Sequence, residues 1–281
     1  MYSPNPHLPL YMLATLLIPL QLVATLTATQ YETTTESESG AAPATIARTL
    51  TTVGGGNVRF EVIGRSEGRP SRLSSANSYM LLRIKEMKMY SIDTTKHEYS
   101  EVDVAAMQSQ LISMMKAAGG DMKFSDIDYK VDDLGDGGVI LGHPTRHWRM
   151  KQSMTVTTTM NSASTSVGIE SAADLYFARD VSLPNNPAGP LDTSSLAQFR
   201  NLTPETNLIK ARAELSRLPR NLLLGSIVKS KTRVPSAETE TTSTTNVTRL
   251  ETVNVPASIL EIPRGYKKVE MFPLPKALQE H

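Results

Sequence analysis

From Arg146 to Met160 the chain alternates with a period of two. The even positions hold Trp148, Met150, Gln152, Met154, Val156, Thr158 and Met160. The odd positions hold His147, Arg149, Lys151, Ser153, Thr155, Thr157 and Thr159. Successive side chains of a strand point to opposite faces, so one face is largely apolar and the other cationic and hydroxylic. This predicts a long antiparallel strand with one dry face and one wet face. Its length exceeds that of an ordinary strand, which points to a strongly curved sheet or an extended hairpin.

The flanking sequence carries the same signals. Val58, Phe60 and Val62 alternate with polar neighbours and predict a strand. Ser78 to Ile84 and Met87 to Ile92 read as two strands joined at Lys85 and Glu86. Asp93 to Lys96 is a turn, because Asp bonds its own backbone, and His97 to Val102 returns as a strand. Ile127 to Leu134 and Val139 to Leu141 predict two strands separated by a turn over Gly135, Asp136, Gly137 and Gly138. Gly168 to Ala178 pairs with the long strand, and Leu222 to Val234 with Thr241 to Val255 forms a last hairpin.

Two segments change to helical spacing. Val104, Met107, Leu111, Met114 and Met115 follow an N-capping Asp103 and stop at Gly119 and Gly120. The methionines repack around irregular shapes, so this helix serves either as ordinary sheet packing or as a lid over an apolar cavity. Thr203 and Pro204 open a second helix whose stripe is Leu208, Ala211, Leu215 and Leu218, and Pro219 closes it.

The N-terminal region reads as export machinery. Leu10 to Leu26 is apolar but interrupted by Pro19 and Gln21, and small residues follow. Residues 1–29 are therefore expected to be a signal peptide, cut between Ala24 and Gln30, although no Lys or Arg precedes the apolar run. Residues 30–56 are poor in apolar side chains and are expected to be a flexible low-complexity leader. The folded domain is then expected over 57–271, with a tail at 272–281.

Three blocks carry a resemblance. They are Met89 to Val102, Gly138 to Met150 and Val255 to Val269. Together they resemble exported bacterial proteins known only as a domain of unknown function, which are similar to the periplasmic lipoprotein-carrier (LolA/LolB-like) fold. The resemblance implies a periplasmic or secreted protein with a curved, incomplete antiparallel barrel whose open side is covered by helices. It also implies a concave apolar face able to hold an acyl chain.

Composition excludes several classes of function. Lys plus Arg number 29 and Asp plus Glu 28, a balance unsuited to nucleic acid. Cysteine is absent, which removes disulfides, thiol nucleophiles and iron–sulfur ligation. His143 and His147 have the spacing of a helical zinc pair, but Pro144 disfavours helix, and on a strand the pair sits about 13 Å apart. Asp132, Asp133 and Asp136 lack the alternating ligands and closing Glu of a calcium loop. Asn201 and Asn246 each begin a glycosylation-type triplet, read here as chance. The chain holds no phosphate loop or dinucleotide fingerprint, so neither cofactor nor metal is expected.

The expected fold is α+β, mainly β: a curved antiparallel sheet or incomplete barrel covered by about two amphipathic helices. The expected function is non-enzymatic binding of a lipid or other apolar ligand between sheet and helices. Its lining would be Met107, Leu111, Met114, Met115, Trp148, Met150 and Met154. The membrane would be met only through the signal. The alternative is a structural or partner-binding envelope protein that uses the cationic face of His147, Arg149 and Lys151. A hydrolase would require Ser or Asp within hydrogen-bond reach of His97 or His147.

Overall fold

The computed structural model describes residues 24–40, 42–66, 77–86, 88–102, 119–160, 163–183 and 205–270. The strands in chain order begin with β1 (Thr25–Ser39), β2 (Ala42–Gly54), β3 (Asn57–Arg65), β4 (Ser78–Arg83), β5 (Lys88–Asp93) and β6 (Glu98–Val102). They continue with β7 (Gly120–Ile140), β8 (His143–Met160), β9 (Ala163–Ser182), β10 (Asn221–Val234), β11 (Ala237–Pro256) and β12 (Lys267–Lys268). All join one twelve-stranded sheet in the order β12-β6-β5-β4-β3-β2-β1-β11-β10-β9-β8-β7. Every neighbouring pair is antiparallel except β12 with β6. The described residues contain one α-helix, α1 (Glu205–Leu215).

The mainly-β reading stands, and the architecture built on it does not. The strands form a single mixed sheet rather than an open barrel covered by about two helices. The first of the two expected helices falls in residues 103–118, outside the described residues. The second is α1, whose Leu208, Ala211 and Leu215 are buried as its stripe requires.

The leader is also corrected. Residues 30–56, expected to be flexible, lie mostly in β1 and β2, inside the sheet between β11 and β3. Ala28, Tyr31 and Val53 are buried there, so the folded sheet begins before Asn57. The glycine-rich stretch after Leu134 is likewise no turn between two strands. Gly135 and Gly138 adopt positive φ within β7, whose register to β8 shifts between Asp133 and Gly135 and again between Asp136 and Val139. These are bulges that let a long strand bend while staying paired.

Among the described residues three apolar clusters hold the sheet. The first joins Tyr129 and Val131 of β7, Ala173, Leu175 and Phe177 of β9, and the buried stripe of α1. The second gathers Tyr31, Val53, Val58, Leu222, Leu224 and Val247 from both halves of the sheet. The third is Tyr79, Leu81, Tyr90 and Ile92, against which Ile262 and Tyr266 pack. The last contact explains the third sequence block, which crosses β3 to β6 as a strap. Asn57 Nδ2 donates to the Leu260 carbonyl at 2.9 Å, Lys267 N to the His97 carbonyl at 2.9 Å and Val269 N to the Tyr99 carbonyl at 2.8 Å. Gly54 admits this strap, because a Cβ there would lie 3.3 Å from Leu260 Cδ1 and 2.5 Å from Leu26 Cδ1.

Candidate functional site

Register sorts the predicted lining. Trp148 opposes Leu175, and Met150 opposes Ala173 on β9 and Val131 on β7. Directly opposed residues share a face, so these side chains stand together with α1 above them. Trp148 and Met150 are half-buried and pack on the first cluster, beside Ile127 and Val228. Met154 lies further along the same face, opposite Ile169, and is half-buried. Met107, Leu111, Met114 and Met115 lie outside the described residues.

One polar atom is out of place on this apolar face. The Trp148 indole Nε1 is buried and has no hydrogen-bond partner among the described residues. An indole N–H normally finds an acceptor when it is buried, because leaving it bare costs about 1–3 kcal/mol.

The opposite face of β8 carries the predicted cationic residues, and two of the three are already engaged. His147 Nε2 donates to Asp174 Oδ1 at 2.8 Å, and Arg149 Nε donates to the same oxygen at 2.9 Å. The imidazole also stacks on Tyr176, with centroids 4.6 Å apart. Burial raises the Asp174 carboxyl, but the hydrogen bonds from His147 and Arg149 outweigh it and hold the group below its ordinary value. His143 pairs with Asp180 at 2.9 Å, and that bond lowers the Asp180 carboxyl. Sequence reading missed Asp174. Its position in the predicted partner strand, opposite Arg149, was the available signal.

Lys151 remains exposed on this face and lines a groove of about 600 Å³ with Ser153, Glu170, Lys229, Lys231 and Glu240. Lys231 binds Glu240, and Glu170 binds Arg233, so the groove has mixed charge rather than a cationic wall.

Asp174 stands within hydrogen-bond reach of His147, as a hydrolase would require. His147 has its carboxylate, but among the described residues no serine or threonine hydroxyl is hydrogen-bonded to it. His97 packs edge-on against Tyr266 with centroids 5.2 Å apart. Among the described residues no group of three or more His, Cys, Asp or Glu could hold a metal ion. No described helix is long and apolar enough to cross a membrane.

No family model matches this chain, and no curated protein matches it. Among solved structures, the crystal structure of the LolA superfamily protein NE2245 from Nitrosomonas europaea is similar. Identity is 7% and the TM-score 0.29, over 83% of this chain and 90% of that chain.

Proposed function

We propose that this chain is an exported, non-enzymatic binding protein of the periplasm or extracellular space. It holds a lipid or other apolar ligand against the β7–β9 face beside α1. The observation that carries the reading is Trp148. Its ring is half-buried among Met150, Leu175 and the α1 cluster, while its N–H is buried without an acceptor among the described residues. A ligand carbonyl beside that N–H would complete the pair, and an acyl chain would make dispersion contacts with Met150. Polarizable Met side chains suit chains of varied shape.

Native mass spectrometry tests this on protein purified without detergent and then incubated with palmitate. The expected spectrum shows a peak displaced by one palmitate, or a co-purified lipid recoverable by solvent extraction. A spectrum of the bare chain alone, before and after incubation, would refute the proposal.

A further inference from the structure

The face that carries Trp148 continues beyond β9, and its chemistry changes there. From Trp148 the register runs through Leu175 to Ser226 on β10, Thr245 on β11, Thr35 on β1 and Ala47 on β2. From Met150 it runs through Ala173 and Val228 to Ser243, Ser37 and Thr45. Each row begins apolar and passes into hydroxyls, the first then closing at Ala47. From β8 to β2 neither row holds Lys, Arg, Asp or Glu; the charge on the β7 side, Asp133 opposite Trp148, is paired with Arg146.

Charge is on the other side of the same strands. The row from Lys151 passes through Ala172, Lys229 and Thr242 to Glu38. The row from Arg149 passes through Asp174, Ile227 and Thr244 to Glu36. Threonine suits strands wherever it stands, and that alone would scatter charge over both faces. The segregation needs a further cause.

We propose that the ligand of this face is an amphiphile whose head group is uncharged and rich in hydroxyls, of the glycolipid class. This rests on the apolar-ligand reading above. The chain lies on the Trp148 and Met150 half, and the head group lies on the Ser and Thr half. Thr35 and Thr245 hydroxyls hydrogen-bond at 3.0 Å, and those of Ser37 and Ser243 at 3.1 Å. Each such pair uses one donor and one acceptor, which leaves a further donor and several lone pairs for a ligand. Sugar hydroxyls, which both donate and accept, match that supply. A phosphate or ammonium head would find no counter-charge in the Ser and Thr half of either row and would lose its hydration there.

The test uses three amphiphiles with the same dodecyl chain: dodecyl maltoside, dodecylphosphocholine and dodecyl sulfate. Each is titrated below its micelle concentration and followed by the emission of Trp148, the only tryptophan in the chain. Dodecyl maltoside is expected to bind about tenfold more tightly than the other two, a difference of about 1.4 kcal/mol. The double variant Thr35→Val/Thr245→Val removes hydroxyls at nearly constant shape. It is expected to bring maltoside affinity down to the level of dodecylphosphocholine, whose own binding stays unchanged. Ser37→Ala/Ser243→Ala is expected to do the same and serves if the first variant does not fold. Equal affinity for all three, or a preference for a charged head, overturns the head-group inference and leaves the apolar-ligand reading intact. Absence of binding by all three overturns the head-group inference, while palmitate binding decides the apolar-ligand reading separately.

Discussion

The backbone N–H of Val131 donates to a carboxylate oxygen of Glu214 at 2.8 Å. β7 is an end strand of the sheet, so an N–H facing away from β8 would otherwise be open to another strand. α1 lies across that edge, and Arg217 Nη1 holds the Glu214 carboxylate in place at 2.8 Å. The helix therefore does two things with one placement: it covers the apolar cluster and it closes part of a free edge.

Glu214→Ala should lower stability by about 1–3 kcal/mol, because it leaves the Val131 N–H without its partner. Glu214→Gln keeps an acceptor and should lose less. Urea unfolding of the two variants measures both. Equal losses would show that the carboxylate–amide bond is not what holds α1 to β7.

Asp174 ties stability to acid. Its folded carboxyl titrates below the ordinary 3.8, so its contribution is complete above that value. The contribution is lost as pH falls further, through the depressed folded value. Unfolding measured between about pH 5 and pH 2 should therefore show a shallower decline for Asp174→Asn than for the unaltered chain. Parallel declines would mean that the His147 and Arg149 bonds add nothing to the folded state.

Much of this was legible in the sequence, and what was missed has a physical cause. The alternation from Arg146 to Met160 located β8 and put Trp148 and Met150 on the buried face. β1 and β2 are hidden in the sequence because their core-facing positions are mostly small and hydroxylic, and low hydrophobicity reads as disorder. Yet Thr33, Thr35, Ser37 and Ser39 alternate there with Thr34, Glu36 and Glu38, the same period of two written in hydroxyl and charge. β7 looks like two strands in the sequence because its bulges interrupt the alternation. The Asp174 network needed strand register, which a single sequence states only loosely.

Tyr31 tests the corrected placement of β1. Burial pushes its phenol from 10.0 up to about 12, and a hydrogen bond with Thr51 works against that shift. A phenol raised on folding favours the folded state until the unfolded group ionises. Stability should thus fall as pH climbs from about 10 through 12, and Tyr31→Phe should flatten that fall. Absorbance titration should show a tyrosine ionising near 12. Complete ionisation of every tyrosine close to 10 without unfolding would place residue 31 in water.

Leu141 offers a gain in stability. Ile140 pairs with His143, so Leu141 and Gly142 form a two-residue turn with φ of 52° and 81°. That left-handed turn favours Asn or Gly at its first position, and a leucine there is strained. Its side chain is 46% exposed, so little packing offsets the strain. Leu141→Asn should raise stability by about 1 kcal/mol in thermal or urea unfolding. A drop would show that the leucine makes contacts worth more than the strain.

An apolar chain held by this protein would lie against Trp148. Quenching of its emission by dibromostearate tests this most directly, because bromine quenches only at close contact. Titration with dibromostearate should extinguish most of the emission, while plain stearate should leave it bright and compete the brominated acid away. Emission that stays bright in saturating dibromostearate would contradict the account.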